Sequence, residues 1–297
     1  METVLKCLNL RKEFKGKPAV DGINLTVEKG DIYGFIGKNG AGKTTAMRLI
    51  VGTAMPTSGA IELFGGIPLS EARQKIGSLI EEPGLYKKCS AFENMKRFAI
   101  LTGSTDDEIR ENLELVGLAD TGKKKAGEFS LGMRQRLGLA IALLGKPEFL
   151  VLDEPVNGLD PEGIKIIRDI ILKLNRERGI TFLISSHLLD ELSKVATRYG
   201  IIDRGVLVEE ITKEELEDKC RSGLKIVVDD VQKAAEVLKG RLAEGEMVTG
   251  ENFLVLHGCE KYSDQINVLL VKNKVVVREM AVLHGDTEQY FIERMGR

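Results

Sequence analysis

The pattern of apolar and polar positions divides the chain into stretches of unlike character. Val4 to Phe14 and Ile23 to Val27 alternate as strands do, and Lys15, Gly16, Lys17 and Pro18 between them read as a turn. Such a pair is expected to form an antiparallel edge layer. Ile32 to Ile36 is a short apolar run that delivers the chain into a glycine-rich loop, after which Thr44 to Val51 carries apolar residues at helical spacing. Over residues 70–125 strand signals are few. Ala91 to Leu101 and Asp106 to Val116 have helical spacing, which predicts a mostly helical subdomain at about 70–140. Leu137 to Leu144 continues as an apolar helix that Pro147 stops. Phe149 to Leu152 and Ile180 to Ile184 are unbroken apolar runs, the pattern of parallel strands buried on both faces.

The character changes after Glu210. Thr212 and Glu215 have the spacing of a capping box, and short strand-like runs such as Lys225 to Val228 alternate with helical ones such as Val231 to Leu242. A domain boundary is therefore expected near Thr212, giving domains at 1–211 and 212–297, the second a small α+β unit.

With 297 residues, 43% hydrophobic and 30% charged, the chain suits more than one globular domain. A formal net charge of −2 lacks the basic excess that phosphate-backbone binding uses, so no nucleic-acid partner is expected. The first ten residues lack the apolar core of a signal peptide, and Leu137 to Gly145 falls far short of the ~18 apolar residues of a membrane-spanning helix. Any membrane is expected to be reached through another polypeptide. Cys7, Cys89, Cys220 and Cys259 lie far apart, which suggests four reduced thiols.

The chemistry gathers at two motifs. Gly37-Lys38-Asn39-Gly40-Ala41-Gly42-Lys43-Thr44 fits G-x-x-x-x-G-K-[ST], in which loop amides and the positive end of the following helix cradle phosphate oxygens. The expected nucleotide is ATP, with Lys43 reaching its β and γ phosphates and Thr44 ligating Mg²⁺, Thr45 standing behind it. A plain glycine-rich turn is the alternative, and it does not account for the strand before and the helix after. The run Phe149 to Leu152 ends in Asp153 and Glu154, and ligands of parallel sheets bind at strand carboxyl ends. Asp153 is placed to hold Mg²⁺, directly or through water, and Glu154 to accept the proton of a water attacking the γ phosphate. The fold class is then α/β: a P-loop NTPase core with an antiparallel edge layer and a helical subdomain, plus the small C-terminal domain.

With both motifs placed, the sequence resembles the ATP-binding cassette (ABC) transporter family over roughly residues 1–210. Phe129-Ser130-Leu131-Gly132-Met133-Arg134-Gln135-Arg136 is similar to the family's signature, usually L-S-G-G-Q followed by R-Q-R, with Leu131 in place of a glycine and Met133 in place of the glutamine. Asn157-Gly158-Leu159-Asp160 matches the family's D-loop, and Ser185-Ser186-His187 its switch-histidine motif. The resemblance implies that His187 touches the γ phosphate, whereas His257 and His284 read as structural. Phe14 stands where the family stacks an aromatic ring on adenine, a role weighed against that of a core phenylalanine. The family's metal-ligating glutamine loop aligns with Ile80-Glu81-Glu82-Pro83, so Glu81 is a candidate Mg²⁺ ligand, weighed against a solvated acidic loop.

In this family the signature of one subunit completes the nucleotide site of another. The resemblance thus implies a head-to-tail homodimer around ATP, with Ser130 and Gly132 acting in trans, and a separate membrane permease that hydrolysis drives. The altered signature, Glu81 and the terminal stretch Asp286 to Arg294 are similar to bacterial exporters of the bacitracin and lantibiotic resistance type. That implies a peripheral ATPase on the cytoplasmic face of a bacterial membrane, exporting a peptide antibiotic. A lipid, ion or nutrient cargo, a cassette protein acting on ribosomes or DNA, and a small-molecule P-loop kinase are the other readings.

Overall fold

The computed structural model describes residues 2–239, 247–283 and 287–295. The chain forms two compact units, Met1–Lys213 with Phe291–Arg297, and Glu214–Tyr290.

In the first unit, β1 (Thr3–Phe14) and β2 (Lys17–Glu28) form the expected hairpin, turning at Lys15 and Gly16, with Lys17 and Pro18 already inside β2. After β3 (Ile32–Ile36), helix α1 (Lys43–Val51) and β4 (Ser58–Leu63), β4 pairs with β1 to complete a three-stranded antiparallel sheet ordered β2-β1-β4. A helical turn α2 (Leu69–Ala72) leads to β5 (Ile76–Leu79), a strand inside the stretch expected to be helical. The correction has a simple cause. Ile76 to Leu79 is too short to show a period of its own and is fixed by its partner, Ile76 pairing with Phe149 in parallel register.

Three helices follow: α3 (Ala91–Thr102), α4 (Asp106–Leu115) and α5 (Leu131–Ala142). Helix α3 starts with a capping box in which Ser90 Oγ accepts Glu93 N–H and the Glu93 carboxylate accepts Ser90 N–H. Helix α5 starts six residues before the apolar run at Leu137, because Ser130 caps it through Met133 N–H at 3.2 Å.

The remaining elements of this unit are β6 (Phe149–Asp153), α6 (Pro161–Arg178), β7 (Thr181–Ser186), α7 (Leu189–Ser193), β8 (Arg198–Asp203) and β9 (Val206–Thr212). The central sheet runs β5-β6-β7-β3-β8-β9, parallel except for β9. All five residues of β3 and of β6 are buried, as their unbroken apolar runs require. The main core lies between the antiparallel sheet and α1, where Leu5, Leu25, Met47 and Ile50 pack with Phe35 and Val151.

The second unit begins in α8 (Lys213–Lys219) and continues with β10 (Gly223–Val228), α9 (Val231–Leu238), β11 (Met247–Thr249), β12 (Phe253–His257), α10 (Ser263–Lys272) and β13 (Val277–Leu283). Its sheet is antiparallel for β11-β12-β10-β13, so the β-α-β-β-α-β order with central β10 and β12 is the split β-α-β arrangement. Leu224, Ile226, Leu254 and Leu256 form its core with Ala234 and Leu270. The tail of the helical expectation beyond residue 239, and those for His284 and Asp286, lie outside the described residues. Helix α11 (Thr287–Arg294) returns the chain to the first unit at Phe291. Phe291 is buried against Tyr199 of β8 with ring centroids 5.5 Å apart, and Arg294 pairs with Glu209 of β9 at 2.8 Å. Among the described residues no helix is long and apolar enough to cross a membrane.

Candidate active site

The glycine loop bridges β3 and α1. Gly42 caps α1 at φ 109° with no side chain accepting from the first turn, so amides and helix dipole face outward unneutralised. Only glycine fits: a Cβ there would lie 2.4 Å from the Ala19 carbonyl. An anion is the natural occupant of such a helix start. The cleft above it, about 190 Å³, is lined by Lys38, Gly40, Lys43, Thr44 and Glu154. A larger cleft of about 480 Å³ opens near Glu2, Lys29, Glu148 and Arg178. It lies at the amino ends of the parallel strands, and Lys29 and Arg178 are already paired with Glu2 at 2.7 Å and Glu111 at 2.5 Å. The chemistry belongs at the carboxyl ends, where the glycine loop is.

Parallel register brings the remaining groups level with that loop. Asp153 of β6 and Phe35 of β3 both pair with Ser185 of β7. Buried Lys43 donates to the carbonyls of Gly37 at 2.5 Å and Lys38 at 3.3 Å, and its Nζ lies 3.4 Å from Glu154 Oε1. Thr44 Oγ1 donates to Asp153 Oδ2 at 2.7 Å, and Ser185 Oγ donates to Asp153 Oδ1 at 2.5 Å. Glu154 turns out of the strand at φ 49°, and its other oxygen, Oε2, sits 2.7 Å from His187 Nδ1. Lys43, Thr44, Asp153, Glu154 and His187, expected from separate segments, therefore form one connected cluster.

Thr44 and Asp153 offer a hydroxyl and a carboxylate, hard oxygen donors suited to Mg²⁺. Among the described residues no group of three or more His, Cys, Asp or Glu side chains is arranged to hold a metal ion. The donor set thus fits an ion that takes its other ligands from phosphate and water, the habit of Mg²⁺.

The other candidates sit elsewhere. Glu81 follows β5 at φ 62°, and its exposed carboxylate pairs with Arg48 of α1 at 2.7 Å instead of with Thr44 or Asp153. Ser130 and Gly132 line a separate cleft of about 400 Å³ with Gly158 and Leu159 of the D-loop segment, which leaves them apart from the glycine loop within one chain. Phe14 is 54% exposed at the end of β1 with Lys12 Nζ 5.1 Å above its ring, a placement that removes the core reading. His257 Nδ1 lies 2.8 Å from the Ser222 carbonyl in the second unit, away from this cluster in sequence and role. Two residues escaped the sequence reading. Arg48 has the signal of a basic residue one helical turn after Thr44, and Ser185 that of a hydroxyl at the end of an otherwise apolar strand.

Comparison with known proteins agrees with this geometry. The family model described as ABC transporter matches residues 20–157. Over its whole length the chain is 40% identical to the bacitracin transport ATP-binding protein BcrA of Bacillus licheniformis, covering 98% of that protein. It is 43% identical over 207 residues to the lantibiotic transport ATP-binding protein SrtF of Streptococcus pyogenes, which is 70% of this chain and 90% of that one. Among solved structures, cbiO1 of Clostridium perfringens, part of the ABC transporter complex cbiONQ, superposes with a TM-score of 0.66 at 25% identity, covering 74% of this chain and 92% of that one.

Proposed function

This chain belongs to the ABC transporter family, and from that premise we propose that it drives a separate membrane permease that exports a peptide antibiotic. It is the ATP-binding subunit of such a system, and it hydrolyses ATP. Peptide cargo rests on the full-length likeness to the bacitracin protein and the shorter likeness to the lantibiotic one. Work with a permease places the chain at the cytoplasmic face of a bacterial membrane.

One observation carries the catalytic reading: Lys43, Thr44, Asp153, Glu154 and His187 are joined by contacts of 2.7 to 3.4 Å at the carboxyl edge of one sheet. The loop amides from Gly37 to Thr45 and the Lys43 ammonium bind the phosphates, while Phe14 offers its exposed ring to adenine. Thr44 and Asp153 hold Mg²⁺, which neutralises phosphate charge when bound. Once phosphate gives Lys43 another anion, Glu154 is released to orient a water and take its proton, with His187 supporting the γ phosphate. Ser130 and Gly132 close over the nucleotide of a second copy in a head-to-tail pair. Glu81, held by Arg48, reaches Mg²⁺ only by leaving that ion pair.

The first experiment is Lys43→Ala. ATP binding and hydrolysis should both fall, and undiminished values would remove the site assignment. Affinity capture from bacterial membranes should bring down a permease; recovery of ribosomes or DNA instead would end the transport reading.

A further inference from the structure

We propose that Ser185 is a positioning residue for ATP hydrolysis, fixing through one hydroxyl both the backbone of Glu154 and the carboxylate of Asp153. The inference rests on Glu154 being the base. Ser185 is wholly buried at the end of β7, level with Asp153 on one side and Phe35 on the other. The direction of its two hydrogen bonds is forced. Glu154 N–H can only donate, so Ser185 Oγ accepts it at 2.9 Å, and the hydroxyl proton goes to Asp153 Oδ1 at 2.5 Å.

That arrangement matters because Glu154 is in the left-handed region at φ 49°, a conformation a non-glycine residue keeps only when its surroundings hold it. Its N–H is shared between Ser185 Oγ and the Ser185 carbonyl, the latter at 3.2 Å. Without the hydroxyl only the longer bond remains, and the turn that points the Glu154 carboxylate at Lys43 and His187 loses its anchor. Asp153 is held at both oxygens, by Ser185 from within the sheet and by Thr44 from α1, so Ser185 fixes the carboxylate plane while the Thr44 edge stays toward the cleft. The adjacent Ser186 does different work: its Oγ accepts Leu188 N–H at 2.9 Å, shaping the turn that carries His187. Successive strand residues point to opposite faces, and here the two serines divide the acidic pair from the histidine turn.

The test is steady-state ATP hydrolysis by Ser185→Ala and Ser185→Cys in the full chain. Loss of a hydrogen bond to a charged group predicts kcat about 10- to 100-fold lower, with KM for ATP within about three-fold of the unaltered chain. Added to Glu154→Gln, Ser185→Ala should cost no further kcat, because the residue acts through Glu154. Should the alanine variant fail to fold, the nearly isosteric cysteine, a weak donor, carries the same measurement. Turnover within about two-fold in either folded variant, kcat and KM moving together, or a further loss in the double variant would each overturn the proposal. If Glu154→Gln alone retains turnover, it is the base assignment that fails; if it is inactive while Ser185→Ala is active, only the role of Ser185 fails.

Discussion

Replacing Glu154 by glutamine separates the two tasks assigned to its carboxylate. One oxygen lies 3.4 Å from the ammonium of Lys43, which is only 6% exposed, and the other lies 2.7 Å from His187 Nδ1. Opposite charges at that first distance attract by roughly 5 kcal/mol at an effective dielectric near 20, most of which is offset by taking both groups out of water. A net of ~1 kcal/mol is then lost whenever phosphate replaces Glu154 as the partner of Lys43. Glutamine keeps the shape and removes that competition, so Glu154→Gln should bind ATP about five-fold more tightly, as read by titration calorimetry. Its turnover should fall by about 10²–10⁴, the usual contribution of a positioned general base, as read by phosphate release. Tight nucleotide with slow chemistry should also accumulate the head-to-tail pair in size-exclusion chromatography with ATP. Phosphate release within about ten-fold of the unaltered chain, or weakened ATP binding, would refute the reasoning.

Two further outcomes follow from the packing. Phe291→Ala removes a fully buried ring that stacks on Tyr199, which should cost about 3–5 kcal/mol and lower the melting temperature by roughly 10 °C, whereas Ile292→Ala on the exposed side of α11 should leave it nearly unchanged; equal melting of the two would contradict the docking of this helix. Burial, aided by Glu210, pushes the Cys7 thiol up to about 12 from 9.0, and burial with the hydrogen bond to Glu210 raises the Tyr33 phenol likewise. Both hold protons that the unfolded chain releases, so their contribution is complete below about pH 9 and is lost as pH rises toward 12. Melting should therefore decline across that window, and Cys7 should resist alkylation at pH 8 while partly exposed Cys89 reacts; fast native labelling of Cys7 would refute its burial.

The parts legible in the sequence were those with local causes. The glycine loop, the buried runs of β3 and β6, and the capping box of α3 each carry their signal within a few neighbouring residues. Strand β5 was not legible because four residues show no period and its place depends on pairing with β6. The start of α5 was obscured by Gly132 and Gly138, poor helix formers, although Ser130 supplied a cap. In the site, residue types were readable and their wiring was not. That Ser185 meets Asp153 depends on the register of two strands 32 positions apart, and that Arg48 holds Glu81 depends on a loop turning through a positive φ.

The return of the chain at Phe291 bears on how this protein can be dissected. A fragment ended at the boundary after Lys213 would contain every element of the central sheet, yet would lack the plug that covers Tyr199 and the arginine that meets Glu209. Such a fragment presents an unfilled apolar socket on β8 and an unpaired acid on β9. A sounder cassette for biochemical work keeps residues 2–213, replaces residues 214–286 by a short polar linker, and retains α11 as its final segment. What the sequence order makes the last piece of the protein is, structurally, part of the first.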